Sequence, residues 1–347
     1  MGDDLSELGF GIIGIGAVSP LHLAAIESSP GARLAAVADV TVERAKRIGE
    51  QRGVPWFADY REMLASPDVD VVCVCTPSGL RGEICIAAAR AGRHVVSEKP
   101  VEVTLAKIDA VIEECGRAGV KLAAIHQIRF APGVQAVKQA ILEGRLGRLV
   151  MGDAMVKWFR SQEYYDSAAW RGTWALDGGG ALMNQGIHYV DLLQWMMGPV
   201  ETVFGCVDTL VRDIEVEDTA AACLKFTNGA VGIIEACTSA YKGVPAKLEI
   251  RGDKGVVIVE DGNVTHWQIE GEDCRAPEAV DIGSGASNPM AIGSAGHTVQ
   301  ISDMVCAINE NRSPLVDGLE ARKPVEIITA VYRSSRTGEA VKLPLGD

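Results

Sequence analysis

From residue 8 to residue 125, short apolar runs alternate with longer segments whose apolar positions recur about every 3.6 residues. Phe10–Ile15, Arg33–Asp39, Val54–Phe57, Val69–Cys75, His94–Ser97 and Lys121–Ile125 read as strands. Between them Pro20–Ile26, Thr41–Arg52, Asp59–Ala65, Arg81–Ala91 and Leu105–Ala118 read as helices. Strict alternation of this kind predicts an α/β domain over 1–125, a doubly wound parallel sheet covered on both faces. Ligands of such sheets bind at the carboxyl ends of the strands.

Past residue 125 the pattern changes, and 126–347 reads as a second, α+β domain. A helix is expected near Pro132–Glu143 and an alternating strand over Leu149–Phe159. Strand-like runs follow at Glu201–Asp208, Ala220–Phe226, Ala230–Cys237, Ala246–Gly252 and Gly255–Glu260. Turns such as Asn228-Gly229 and Asp261-Gly262 between them are hairpin turns, so this sheet is mostly antiparallel. A glycine- and serine-rich loop spans Gly271–Gly296, and helices near His297–Asn309 and Leu319–Ser335 close the chain. At the centre lies Asp177–Asp191, DGGGALMNQGIHYVD, where three glycines allow close backbone approach and a helix follows. Met183, Ile187, Val190, Leu193 and Met197 form its apolar stripe, while Asn184, His188, Asp191 and Trp195 share a second face.

Composition narrows the class. The chain has 347 residues, a formal net charge of −13 and a pI near 5.0, which argues against nucleic acid or acidic lipid as partner. No run of 18 apolar residues is present, so no membrane span is expected. Nine cysteines without a CxxC pair suit buried thiols in a reducing, cytoplasmic compartment, and no metal is expected.

Candidate chemistry falls on a few stretches. Gly14-Ile15-Gly16-Ala17-Val18-Ser19 lies between a strand and a helix, the setting of a dinucleotide-binding turn. Gly14 would make the tight turn, Gly16 would admit a pyrophosphate, and Ser19 would cap the helix ahead of Pro20. Asp39 ends the second strand, placed to accept the ribose hydroxyls of NAD and to disfavour the 2′-phosphate of NADP. Thr76, Pro77, Glu98 and Lys99 sit at other strand ends, and the Lys99-Pro100 bond restrains the lysine. His188 can take a proton at neutral pH, with Asn184 one turn earlier to orient it or the substrate. Residues 158–174 concentrate aromatics beside Arg160 and Arg171; aromatic faces stack on sugar rings and arginine grips hydroxyls or acids.

GIGAVS, Asp39, TPSGL, the EKP triplet and GGGALMNQGIH, in this order, resemble the glucose–fructose oxidoreductase / inositol dehydrogenase / rhizopine-catabolism (Gfo/Idh/MocA) family over nearly the whole chain. The resemblance implies an N-terminal Rossmann domain for NAD or NADP and a second domain built on a large open sheet. It also implies Lys99 and His188 as the catalytic pair and a cis bond before Pro100. Two positions depart from it: Asn184 stands where many members have aspartate, and Arg81 where many have histidine. The expected activity is an NAD-dependent dehydrogenase acting on a secondary alcohol of a sugar, cyclitol or derivative. His188 would accept the proton, Lys99 polarise the oxygen, Asn184 orient, and Arg129, Trp170 and Arg171 contact substrate. An NAD-dependent glycosidase and a non-catalytic NAD-binding regulator are the alternatives. A homodimer or homotetramer is expected, since strands such as Val231–Ile234 and Val256–Val259 are apolar on both sides.

Overall fold

The structure is a computed structural model and describes residues 6–272, 286–287 and 293–346. Two compact units emerge: Met1–Gln127 with Gly293–Arg322, and Ile128–Ile292 with Lys323–Asp347.

In the first unit β1 (Leu8–Ile13), α1 (Ser19–Ser28), β2 (Ala32–Ala38), α2 (Val42–Arg52), β3 (Trp56–Phe57), α3 (Tyr60–Leu64), β4 (Val71–Val74), α4 (Ser78–Arg90), β5 (His94–Ser97), α5 (Leu105–Ala118) and β6 (Leu122–Ala124) alternate as expected. The six strands are parallel in the order β3-β2-β1-β4-β5-β6, so the order reverses between β1 and β4. That reversal is where the loops after adjacent strands part and leave room for a ligand. Phe10, Ile12, Val37, Val71, Cys73 and Val96 from the strands pack with Leu23 and Ile26 of α1. Ile301, Met304 and Val305 join the same core, so the late helix Ala295–Asn309 completes this unit. Sequence alone places residues 293–322 with the second domain; burial of their apolar stripe decides otherwise.

The second unit holds α6 (Pro132–Leu142), β7 (Leu149–Lys157), α7 (Gln162–Asp166), a π-helical turn at Ala181–Gly186 running into α8 (Ile187–Met197), and β8 (Val200–Asp208). Then come β9 (Thr219–Phe226), β10 (Val231–Cys237), β11 (Lys247–Gly252), β12 (Gly255–Glu260) and β13 (Asn263–Ile269). With Ala295–Asn309 numbered α9, the helix α10 (Gly318–Thr337) and the short β14 (Val341–Lys342) complete the chain. The eight-stranded sheet runs β13-β12-β11-β7-β10-β9-β8-β14, antiparallel except for the β7–β10 pair. The Asn228-Gly229 and Asp261-Gly262 turns join β9 to β10 and β12 to β13, with Gly229 at φ 87° and Gly262 at φ 80°. One face of the sheet is closed by α8, which packs on β7 and β11. On the other face Phe204 and Val231 are half exposed, at 50% and 51%. Most of the expected loop at Gly271–Gly296 lies outside the described residues. No described helix is long and apolar enough to cross a membrane.

Candidate active site

The turn after β1 is shaped by its glycines. Gly14 has φ 94°, and a side chain there would meet the Cys75 backbone at 3.0 Å. At Gly16 an added Cβ would find no atom within 4 Å, so the space over the turn is open. Ser19 is not the helix cap that its type suggested. Val18 holds that position, without a side-chain cap, and the buried Ser19 hydroxyl donates to the Gly16 carbonyl at 2.9 Å. The serine thus closes the loop on itself, and the first N–H groups of α1 receive no side-chain cap, as an anion site at a helix start requires.

Asp39 ties the end of β2 to this turn: Ile15 N–H donates to Oδ2 at 2.6 Å and Thr41 N–H to Oδ1 at 2.6 Å. Its carboxylate retains further lone pairs for hydroxyl donors. Thr76, after β4, has a buried hydroxyl oxygen with no hydrogen-bond partner, a donor-acceptor that a ligand group would satisfy. Open space at Gly16, an uncapped α1 and the orphan Thr76 hydroxyl all fit a bound dinucleotide. Arg81 lies behind them, nine-tenths buried. Its Nε donates to the Thr76 carbonyl at 2.8 Å and its Nη1 to the Pro100 carbonyl at 2.7 Å, so it links two strand-end loops.

Glu98 and Lys99 follow β5, and the Lys99-Pro100 bond is cis. Glu98 is buried between two imidazoles: His22 Nε2 at 2.9 Å and His297 Nε2 at 3.4 Å both reach Oε1, while Lys99 N–H donates to Oε2 at 3.2 Å. Burial alone would raise this carboxyl; the hydrogen bonds from His22 and His297 outweigh it and hold Glu98 well below the usual range. Burial lowers the His22 pKa, so the ring is a neutral donor. The three ligand-type atoms could in principle hold a metal ion. Metal-bound histidines, however, anchor their second nitrogen, and here Nδ1 of both rings is buried without a partner. The cluster reads as a hydrogen-bonded anchor for the Lys99 backbone.

In the second unit Asn184 and His188 stand on the π-turn and α8, and His188 is 5% exposed. The segment is buried nearly all round, so it lacks the solvated face an amphipathic helix would show. Asp191, on the same helix row, is engaged by Arg129. The guanidinium grips it with two hydrogen bonds of 2.7 and 2.6 Å, both residues buried, over the Trp195 ring. Arg129 is therefore committed to holding α8.

Around Asn184 runs a polar chain. Asn184 Nδ2 donates to Asp177 Oδ1, and Gln185 Nε2 donates to Asn184 Oδ1 at 3.0 Å and to the Tyr164 hydroxyl at 3.2 Å. Arg171 donates to the same hydroxyl at 2.6 Å and stacks on the Tyr164 and Trp170 rings, 4.3 and 4.6 Å from their centroids. Arg160 is buried, with its fork on the Phe159 and Ala286 carbonyls and Gln185 Oε1. Of the two arginines near the aromatics, only Arg171 is partly exposed. Tyr164 belongs to the aromatic run the sequence singled out, whereas Asp177 and Gln185 were given no role in it.

A six-stranded parallel sheet in this order, with an open glycine turn over a bare helix start, is the architecture of a dinucleotide-binding domain. The sequence matches the "Oxidoreductase family, NAD-binding Rossmann fold" over residues 8–126 and the "GFO/IDH/MocA C-terminal domain" over residues 134–258. Myo-inositol 2-dehydrogenase of Thermotoga maritima is 31% identical over 258 residues, 72% of this chain and 75% of the relative. The WlbA dehydrogenase of Bordetella pertussis, solved in complex with NADH and UDP-GlcNAcA, superposes with a TM-score of 0.88 at 36% identity, covering 98% of this chain and all of that one. A second WlbA dehydrogenase, from Chromobacterium violaceum, gives 0.88 at 35% identity over 100% of this chain and 98% of its own. The chain belongs to the GFO/IDH/MocA family of oxidoreductases.

Proposed function

We propose that the protein is an NAD-dependent dehydrogenase that oxidises a secondary alcohol on a carbohydrate or cyclitol ring. The observation that carries the reading is that Lys99 and His188 each sit on backbone held by a buried anchor. Glu98 grips the Lys99 N–H, and Arg129–Asp191 grips α8. Residues at Gly14, Gly16, Ser19, Asp39, Thr76, Pro77 and Glu98 would hold the cofactor, whose nicotinamide accepts the hydride when bound. His188 takes the hydroxyl proton, and Lys99 donates a hydrogen bond to the same oxygen as negative charge develops there. Asn184, held by Asp177, orients the hydroxyl. Trp170 and Tyr164 offer ring faces, and Arg171 is the cation available to an acidic substituent.

The favoured substrate subclass is an acidic nucleotide sugar. It is supported by the 36% identical WlbA dehydrogenase, whose complex contains UDP-GlcNAcA, and by the exposed side of Arg171. NAD is preferred over NADP because the Asp39 carboxylate would repel a 2′-phosphate, and Val40 and Thr41 supply no positive charge. The uncovered sheet face with Phe204 and Val231 is the proposed surface of a homo-oligomer. Light scattering that finds only monomer at micromolar concentration would refute it.

The test is NADH formation with UDP-GlcNAcA, myo-inositol and neutral sugars. Lys99→Met and His188→Ala are expected to lose about 10²–10⁴ in turnover while still binding NAD. Either variant staying within a few-fold of wild type on an accepted substrate removes that residue from the mechanism.

A further inference from the structure

The glycine run at Gly178–Gly180 and the helix it opens answer to one distant residue. At Gly180 an added Cβ would lie 2.0 Å from the Glu217 carbonyl oxygen. At Gly179, with φ 153°, it would lie 2.2 Å from the Tyr332 hydroxyl. Both obstacles belong to the protein, so these two glycines make room for Glu217 and Tyr332.

The first N–H groups of a helix lack intrahelical partners. Gly180, at the cap position, brings no side chain to the task. Glu217 takes three of these groups in succession. Gly180 N–H donates to Oε2 at 3.0 Å, Ala181 N–H to the Glu217 carbonyl at 3.0 Å, and Leu182 N–H to Oε1 at 2.8 Å. The Tyr332 hydroxyl also donates to Glu217 Oε1 at 2.9 Å. The hydrogen of that hydroxyl points at the carboxylate. Three donors thus converge on one carboxyl group, and its anion accepts all of them most strongly, with no hydrogen of its own to place.

We infer that Glu217 is a positioning residue: its carboxylate, with Tyr332, sets the start of the π-turn and α8, and through them the places of Asn184 and His188. The inference rests on His188 being the proton acceptor. Burial pushes the Glu217 carboxyl up to about 7 against the pull of its donors. The titratable groups facing it are Tyr332 from α10 and Tyr165 from α7, with Asp177 acting on both tyrosines from the segment before the glycines. None of these is a cation.

The test compares Glu217→Gln, Tyr332→Phe and His188→Ala with wild type. In Glu217→Gln an amide NH2 replaces one acceptor, so the Gly180 or Leu182 N–H loses its partner. Hydrogen-exchange protection at those amides should fall at least tenfold, and kcat about tenfold or more, with NAD affinity within twofold. Tyr332→Phe, the milder change, should move the acidic limb of the kcat–pH profile to higher pH, a shift that simple destabilisation does not produce. Unchanged protection in Glu217→Gln overturns the latch. Lost protection with full kcat overturns the positioning role. Full activity in His188→Ala removes the reading on which the role rests, and the exchange result still decides whether Glu217 caps the helix.

Discussion

Two glycine-bearing turns in this chain lead into helices, one at Gly14–Ser19 and one at Gly178–Gly180, and they have opposite surroundings. Over Gly16 there is no atom within 4 Å and α1 starts without a side-chain cap. Over Gly179 and Gly180 the space is filled by Tyr332 and the Glu217 backbone, and the Gly180, Ala181 and Leu182 N–H groups all have Glu217 as their partner. A helix start attracts an anion in either case. In the first unit that place is open, as the proposed cofactor phosphate would need; in the second the protein supplies its own carboxylate, ahead of the residues proposed to be catalytic. The same local sequence signal therefore means "bind here" in one setting and "fix here" in the other.

The largest effect should come from crowding the filled turn. Gly180→Ala drives a methyl into the Glu217 carbonyl, a backbone atom that cannot step aside, and should cost about 3 kcal/mol or more. Urea unfolding would measure it, and a loss below about 0.5 kcal/mol would show that the close approach is not real. The second effect is a pH dependence of comparable size. A Glu217 pKa raised from 4.5 to about 7 in the folded protein means that its protonated form is the one folding favours. Its contribution is fully present below pH 4.5, declines through the interval and is lost above about 7. The decline amounts to about 3 kcal/mol. Glu217→Gln should remove that part of the stability–pH curve; a curve of unchanged slope between pH 5 and 7 would contradict the assignment. Under the role proposed for Glu217, the ionised latch is then the less stable form of the fold, a trade common at active sites.

Smaller effects should mark the open turn. Gly16→Val should leave the midpoint of unfolding in place, since its side chain meets no protein atom. It should weaken NAD binding by about tenfold or more, because the added methyls occupy the pyrophosphate's approach. A titration showing equal affinity would place the cofactor elsewhere. Smallest is Asp39→Ser, which should narrow the preference for NAD over NADP by removing the repelling charge; an unaltered ratio would move the discrimination to another residue.

Much of this protein was legible without coordinates. Alternating apolar runs identified all six parallel strands and their helices, because a strand buried on both faces must be apolar along its length. The hairpin turns at Asn228-Gly229 and Asp261-Gly262 were equally local, since only such residues accept their backbone angles readily. Two late strands escaped: β13 for its polar outward residues and β14 for its length of two. The π-turn also went unread, since nothing in a single helix period announces an extra residue.

The sequence by itself determined most of the elements and the candidate residues, Lys99, His188, Asn184 and the open turn among them. Tertiary structure alone decided their partners. Glu98 meets His297 across 199 residues, Arg129 meets Asp191 across 62, and Gly180 meets Glu217 across 37. It also decided that Arg129 grips α8, that Arg81 bridges two loops and that Ser19 leaves α1 uncapped. The physical reason is one of range. Periodicity and turn chemistry are set by neighbours a few residues away, whereas a buried polar group must take its hydrogen-bond partner from whatever distant segment the packed core brings beside it.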